Sequence, residues 1–108
     1  MTTPLHHQSI LTEAEGLVHG DRNVSYGHPM DDFSRTAKMW SALFGFPVTA
    51  EQVGLAMICV KLSRECHRPK RDNLVDIAGY AETVEWTKHE RQQRELLADT
   101  FHKIEAVA

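Results

Sequence analysis

Apolar positions along this chain repeat with a helical period, and no segment alternates in the two-residue rhythm of a strand. Ser9 can cap a short first helix over Ile10–Val18, with Ile10, Leu11, Ala14, Leu17 and Val18 on one face. His19-Gly20 ends it. Residues 19–29, HGDRNVSYGHP, hold two glycines, a proline and an asparagine, and read as a loop. Pro29 suits the first turn of a second helix running to about Phe44, with Phe33, Ala37, Trp40 and Leu43/Phe44 at helical spacing. Gly45-Phe46-Pro47 breaks that helix. Thr49 starts the third, and Gln52 three residues on completes a capping box. The third helix is apolar nearly all round through Val60, which predicts a central, buried element with Cys59 as a small core residue. Pro69 stops it near His67. Asp72 or Asn73 caps a fourth helix with an apolar stripe of Leu74, Ile77, Ala81 and Val84. Trp86–Glu95 is mostly charged and polar. Leu96, Leu97, Phe101 and Ile104 then resume helical spacing, in a continuation of the fourth helix or in a fifth. The expected fold is all-α, a compact four- to five-helix bundle. Residues 1–8 form a loose tail, 9–108 a single domain, and 86–108 a C-terminal helical extension.

Composition narrows the picture. A chain of 108 residues makes one domain, and 42% apolar residues can fill its core. A net charge of −3 argues against a dedicated nucleic-acid binder while leaving room for a local basic patch. Cys59 and Cys66 lie on one predicted helix, too far apart to bridge each other, so reduced thiols and a cytoplasmic location are expected. No signal-peptide pattern is visible, and the longest apolar run is far short of the roughly 20 residues a membrane span needs. A bundle this short exposes much of its apolar surface alone, so a homo-oligomer is expected.

The chemistry-bearing residues gather around Val53–Val84. Lys61, Arg64 and Arg68 share a helical face, and Lys70 and Arg71 follow at once. Such a cluster can hold a triphosphate, because arginine forks suit phosphate oxygens. The alternative is a solvated basic helix end favoured by the helix dipole. Asp72 and Asp76 are one turn apart, with Tyr80 a turn further on. Paired carboxylates invite Mg²⁺ together with substrate phosphates. Alternatively Asp72 only caps the helix and Asp76 pairs with Lys61 or Arg64. The loop carries His19, Asp21, Arg22, Ser25, Tyr26 and His28, and can close over a ligand with Tyr26 or Trp40 against a base. The other reading is a structural loop with a buried tyrosine and a core tryptophan. Cys59, Cys66 and His67 lack the spacing of a zinc site.

Four stretches together, HGDRNVSYGHPMDDF, AKMW, GLAMICVKLSR and PKRDNLVDIAGYAE, resemble a family of small phage and prophage proteins over about residues 10–86. That family is similar, more distantly, to the MazG-like all-α nucleoside triphosphate pyrophosphatases. The likeness rests chiefly on a D-x-x-x-D-x-A-x-Y helix after a K-x-x-R helix. It implies a four-helix core, an oligomer, Mg²⁺ on acidic helix faces, and cleavage of a (d)NTP to monophosphate and pyrophosphate. The MazG-like pattern also has an E-x-x-E pair on an early helix. Here Glu13 and Glu15 are two apart and point to different faces, so Asp21 or Asp31/Asp32 would have to complete a metal set.

The expectation is therefore a Mg²⁺-dependent nucleotide pyrophosphohydrolase. Asp72, Asp76 and Asp21 would be catalytic, and Asp72, Asp76 and Asp32 would hold the metal. Arg22, Tyr26, His28, Lys61, Arg64, Lys70, Arg71 and Tyr80 would bind the nucleotide. The alternatives are a phage protein that sequesters a nucleotide without cleaving it and, less favoured by the acidic balance, a DNA-associated protein using the basic patch.

Overall fold

The computed structural model describes residues 7–20 and 25–107 of the chain. Four helices stand out among them: α1 Ile10–His19, α2 Pro29–Phe44, α3 Ala50–His67 and α4 Arg71–Val107. The described residues contain no strand.

Local signals set most helix ends. Ser9 accepts from the Thr12 backbone N–H and caps α1. Pro29 occupies the first turn of α2, where its missing N–H costs nothing. Gly45 ends α2 in the left-handed conformation, φ 79°, with its N–H on the Ser41 carbonyl. Thr49 and Gln52 cap α3 reciprocally, each side chain on the other's backbone N–H. The fourth helix differs from expectation. It begins at Arg71, so Asp72 and Asn73 lie inside its first turn rather than capping it. It then runs unbroken for 37 residues, which makes the C-terminal segment a continuation and not a fifth helix.

The expected central helix is also not the central one. α1 packs on α4 alone, while α2 and α3 pack on α4 and on each other, so α4 is the element all the others share. In α3 only Ala50, Val53 and Gly54 are buried. Leu55 is 52% exposed, Leu62 is 49% exposed, and Cys59 is exposed. An apolar run is buried only on the faces its neighbours cover, and here neighbours cover one side. The stripe expected on α4 is offset for a related reason. Held from two sides, α4 buries Asn73, Val75, Thr83 and Thr87, whereas Leu74 is 41% exposed.

The core is small and mostly aliphatic: Ala14, Val18, Phe33, Ala37, Ala50, Val53 and Val75. Trp40, Val48 and Tyr80 pack at its edge. Gly54 lets α3 approach closely, since a Cβ there would overlap Val84 Cγ2 and stand 3.1 Å from Phe33 Cε2. The molecule extends 71 Å along its long axis, because the last turns of α4 run on beyond the bundle.

Candidate functional site

The turn between α3 and α4 is built by Glu65. Its Oε1 accepts from the Lys70 backbone N–H at 2.8 Å and from Asn73 Nδ2 at 3.1 Å. Asn73 is buried, and its backbone N–H donates to the Lys70 carbonyl. Arg68 closes the end of α3 with its N–H on the Arg64 carbonyl. Pro69 prevents further helix. These bonds fold the chain back sharply, so side chains from both helices border one groove.

That groove has a volume of about 410 Å³ and is lined by Ser63, Arg64, His67, Arg68, Lys70 and Asn73. Arg64, His67, Arg68 and Lys70 are exposed. Among the described residues, none of these four side chains makes an ion pair, and Glu65 is occupied by the turn. The groove is therefore a concave surface with unneutralised donors from two helices, including two arginine forks suited to phosphate oxygens. The C-terminal dipole of α3 favours Arg64 and His67 there, but it does not account for Lys70, Ser63 and Asn73 bordering the same space.

The opposite region of α4 is closed. Glu82, Trp86 and Glu90 stand on successive turns. The Trp86 ring lies between His19 and His28, with ring centroids at 4.4 and 4.5 Å. His19 Nε2 faces Glu82 at 3.5 Å, and His28 Nε2 faces Glu90 at 3.7 Å. His28 also caps α2, its Nδ1 accepting from the Met30 N–H. That bond keeps the ring proton on Nε2, toward the carboxylate. Arg94 grips both oxygens of Asp31, at 2.7 and 3.2 Å, and donates to Glu90 at 3.1 Å. The Arg94 guanidinium holds the Asp31 carboxyl below its ordinary range, and Asp31 with Glu90 pushes the Arg94 pKa up. Arg91 likewise bonds Glu51, which raises its pKa. His19, at the end of α1, and His28, at the start of α2, thus both stand against one tryptophan.

The other residues singled out by the sequence separate. Lys61 Nζ meets Asp76 Oδ2 at 2.7 Å, the pairing that was the alternative to a metal role. Arg71 bonds Glu13 and the Gln8 carbonyl, tying the start of α4 to the start of α1 and turning away from phosphate binding. Tyr80 stacks on Phe33 and, with Asp76, lines a small pocket beside Val18. Tyr26 is exposed, and its carbonyl receives Arg35. Asp32 lines a different pocket, with Tyr26, Gly27, Pro29 and Thr83. Asp72 is exposed. Asp21 and Arg22 lie outside the described residues. Among the described residues, no group of three or more His, Cys, Asp or Glu side chains stands close enough to hold a metal. Asp72, Asp76 and Asp32 therefore do not fit Mg²⁺ as one set: Asp32 belongs to another pocket and Asp76 holds Lys61.

Trp86, Glu82 and Glu90 were not read as site-forming from sequence. Their four-residue spacing, with two histidines bounding a Gly-rich loop, was the available signal.

Comparison with known proteins matches residues 9–87 to a family described as a domain of unknown function, DUF6378. The chain belongs to that family. The DUF6378 region contains the whole cationic groove and Trp86, and it ends before Glu90, Arg91 and Arg94. The chain is 35% identical to the Gene 55 protein of Mycobacterium phage D29 over 106 residues, 93% of this chain and 70% of that protein. It is 39% identical to the Gene 55 protein of Mycobacterium phage L5 over 79 residues, 71% of this chain and about half (51%) of that protein. No solved structure matches it. Among the described residues no helix is long and apolar enough to cross a membrane.

Proposed function

We propose that this DUF6378 protein is a phage-type nucleotide-binding protein that holds the phosphate chain of a (d)NTP in the groove between α3 and α4. One observation carries the reading: Arg64, His67, Arg68 and Lys70 line a single groove without a carboxylate partner among the described residues. Two guanidinium forks and an ammonium group match the charge and the oxygen geometry of a polyphosphate. Ser63 offers a neutral donor beside them. Such a protein would act among soluble nucleotides in the cytoplasm of an infected host cell.

A second reading, pyrophosphohydrolysis of the MazG-like kind, is favoured by the placing of Asp76 and Tyr80. They line one pocket together with Val18 and Gly79. The carboxylates that are described do not assemble a metal set, so no catalytic step is assigned.

Calorimetric titration with a panel of (d)NTPs, alongside pyrophosphate release with and without Mg²⁺, separates the two. Binding without release is the expected outcome. Magnesium-dependent release lost in Asp76→Asn would replace it with the hydrolase reading.

A further inference from the structure

The last turns of α4 raise a separate question, because they lie beyond the DUF6378 region and, past the Arg94–Asp31 contact to α2, stand exposed. Leu96, Leu97, Phe101, Ile104 and Val107 are all at least 58% exposed. At about 100° per residue, these five and Thr100 fall within an arc of roughly 140°. A solvated helix gains nothing from such a stripe, and an unpacked segment of about 16 residues is only marginally helical on its own in water.

We propose that residues 92–107 form an antiparallel two-helix interface with the same segment of a second copy of this chain, on a twofold axis near Thr100. The flanking charges select this occupant and this direction. Lys103 and Asp99 border one side of the apolar arc, and Arg94 and Glu105 border the other. In an antiparallel pair each side meets itself reversed. Lys103 then stands across from the partner's Asp99, while Arg94 stays on Asp31 and Glu90 of its own chain. Symmetry makes each contact twice. The apolar layers close as well, with Leu96 against the partner's Ile104 and Gln93 near the partner's Val107. Within one chain Lys103 already reaches Asp99, at 3.1 Å, so the pairing extends an existing charge ladder. A parallel pair would set the two flanks against each other and leave Lys103 without the partner's Asp99.

The full chain should sediment as a dimer across a dilution series. Leu97→Glu with Ile104→Glu should make it monomeric, while circular dichroism shows that the bundle still folds. Asp99→Lys should raise the dimer dissociation constant by about tenfold or more, because it sets lysines opposite each other twice. Asp99→Lys combined with Lys103→Asp should restore it. A monomeric wild-type chain, or a dimer that survives Leu97→Glu with Ile104→Glu, would overturn the proposal. Failure of the double exchange to restore the dimer would overturn its antiparallel direction. If association persists and is instead lost on changing Trp40, Phe44 and Phe46, which line the apolar groove between α2 and α3, the interface lies there and not on the arm.

Discussion

The two ends of the bundle handle charge in opposite ways. Around Trp86, basic side chains meet carboxylates: His19 faces Glu82, His28 faces Glu90, Arg91 holds Glu51, and Arg94 holds both Asp31 and Glu90. At the α3–α4 turn, Arg64, His67, Arg68 and Lys70 meet none among the described residues, and Glu65 is taken by the Lys70 backbone and the Asn73 side chain. Both ends are rich in residues associated with catalysis. The closed end uses them to fix a loop and a long helix. The open end leaves its charge exposed.

The contrast is broken most forcefully at Trp86. It is half-buried between two rings, so Trp86→Ala should cost about 2 kcal/mol, below the range for a fully buried tryptophan. Urea denaturation measures that loss, and nucleotide affinity should be unchanged. Equal loss of affinity would show that the closed end belongs to the ligand site. Next in size is Gly54→Ala, at the crossing between the two ends. The added Cβ overlaps Val84, and better helix propensity offsets only part of the strain, leaving about 1–2 kcal/mol of destabilisation.

Much of the fold was legible because its signals are local. Pro29, the Thr49–Gln52 capping box, Gly45 and Pro69 each act within a few residues, and they placed α2 and α3 closely. Burial was not legible, because it depends on which neighbour arrives. Val53–Val60 looks like a core helix in isolation, yet α1 packs on α4 instead and leaves Leu55, Cys59 and Leu62 open. The site was legible in part. Arg64 and Lys70 do border one groove, whereas Arg71, next in sequence, turns to Glu13 on α1. No sequence rule distinguishes the adjacent cations Lys70 and Arg71 by what each meets across the fold. Asp72 and Asp76 have metal-like spacing, but Lys61 comes from another helix and pairs with Asp76.

The complementary experiment at the open end is Arg64→Glu with Arg68→Glu. Both side chains are exposed, so stability should stay within about 0.5 kcal/mol of wild type. Affinity for a nucleoside triphosphate should fall by about tenfold or more, equivalent to roughly 1.4 kcal/mol. The smallest effect belongs to Asp31→Asn. The Asp31 pKa is lowered in the folded state by Arg94, so its contribution is present above its ordinary value of 3.8 and is lost as pH falls through the lowered one. The pair is exposed and screened, so the melting temperature should differ from wild type by about a degree or less near neutrality. That difference should vanish in acid.

The most direct measurement is a titration of the wild-type chain and of Arg64→Glu with Arg68→Glu, using one nucleoside triphosphate and the matching nucleoside. The account predicts that the wild type binds the triphosphate and not the nucleoside, with affinity that weakens as salt is raised, and that the variant loses it. Equal binding by both proteins, or no binding of the triphosphate by the wild type, would contradict the assignment of the α3–α4 groove as a phosphate site.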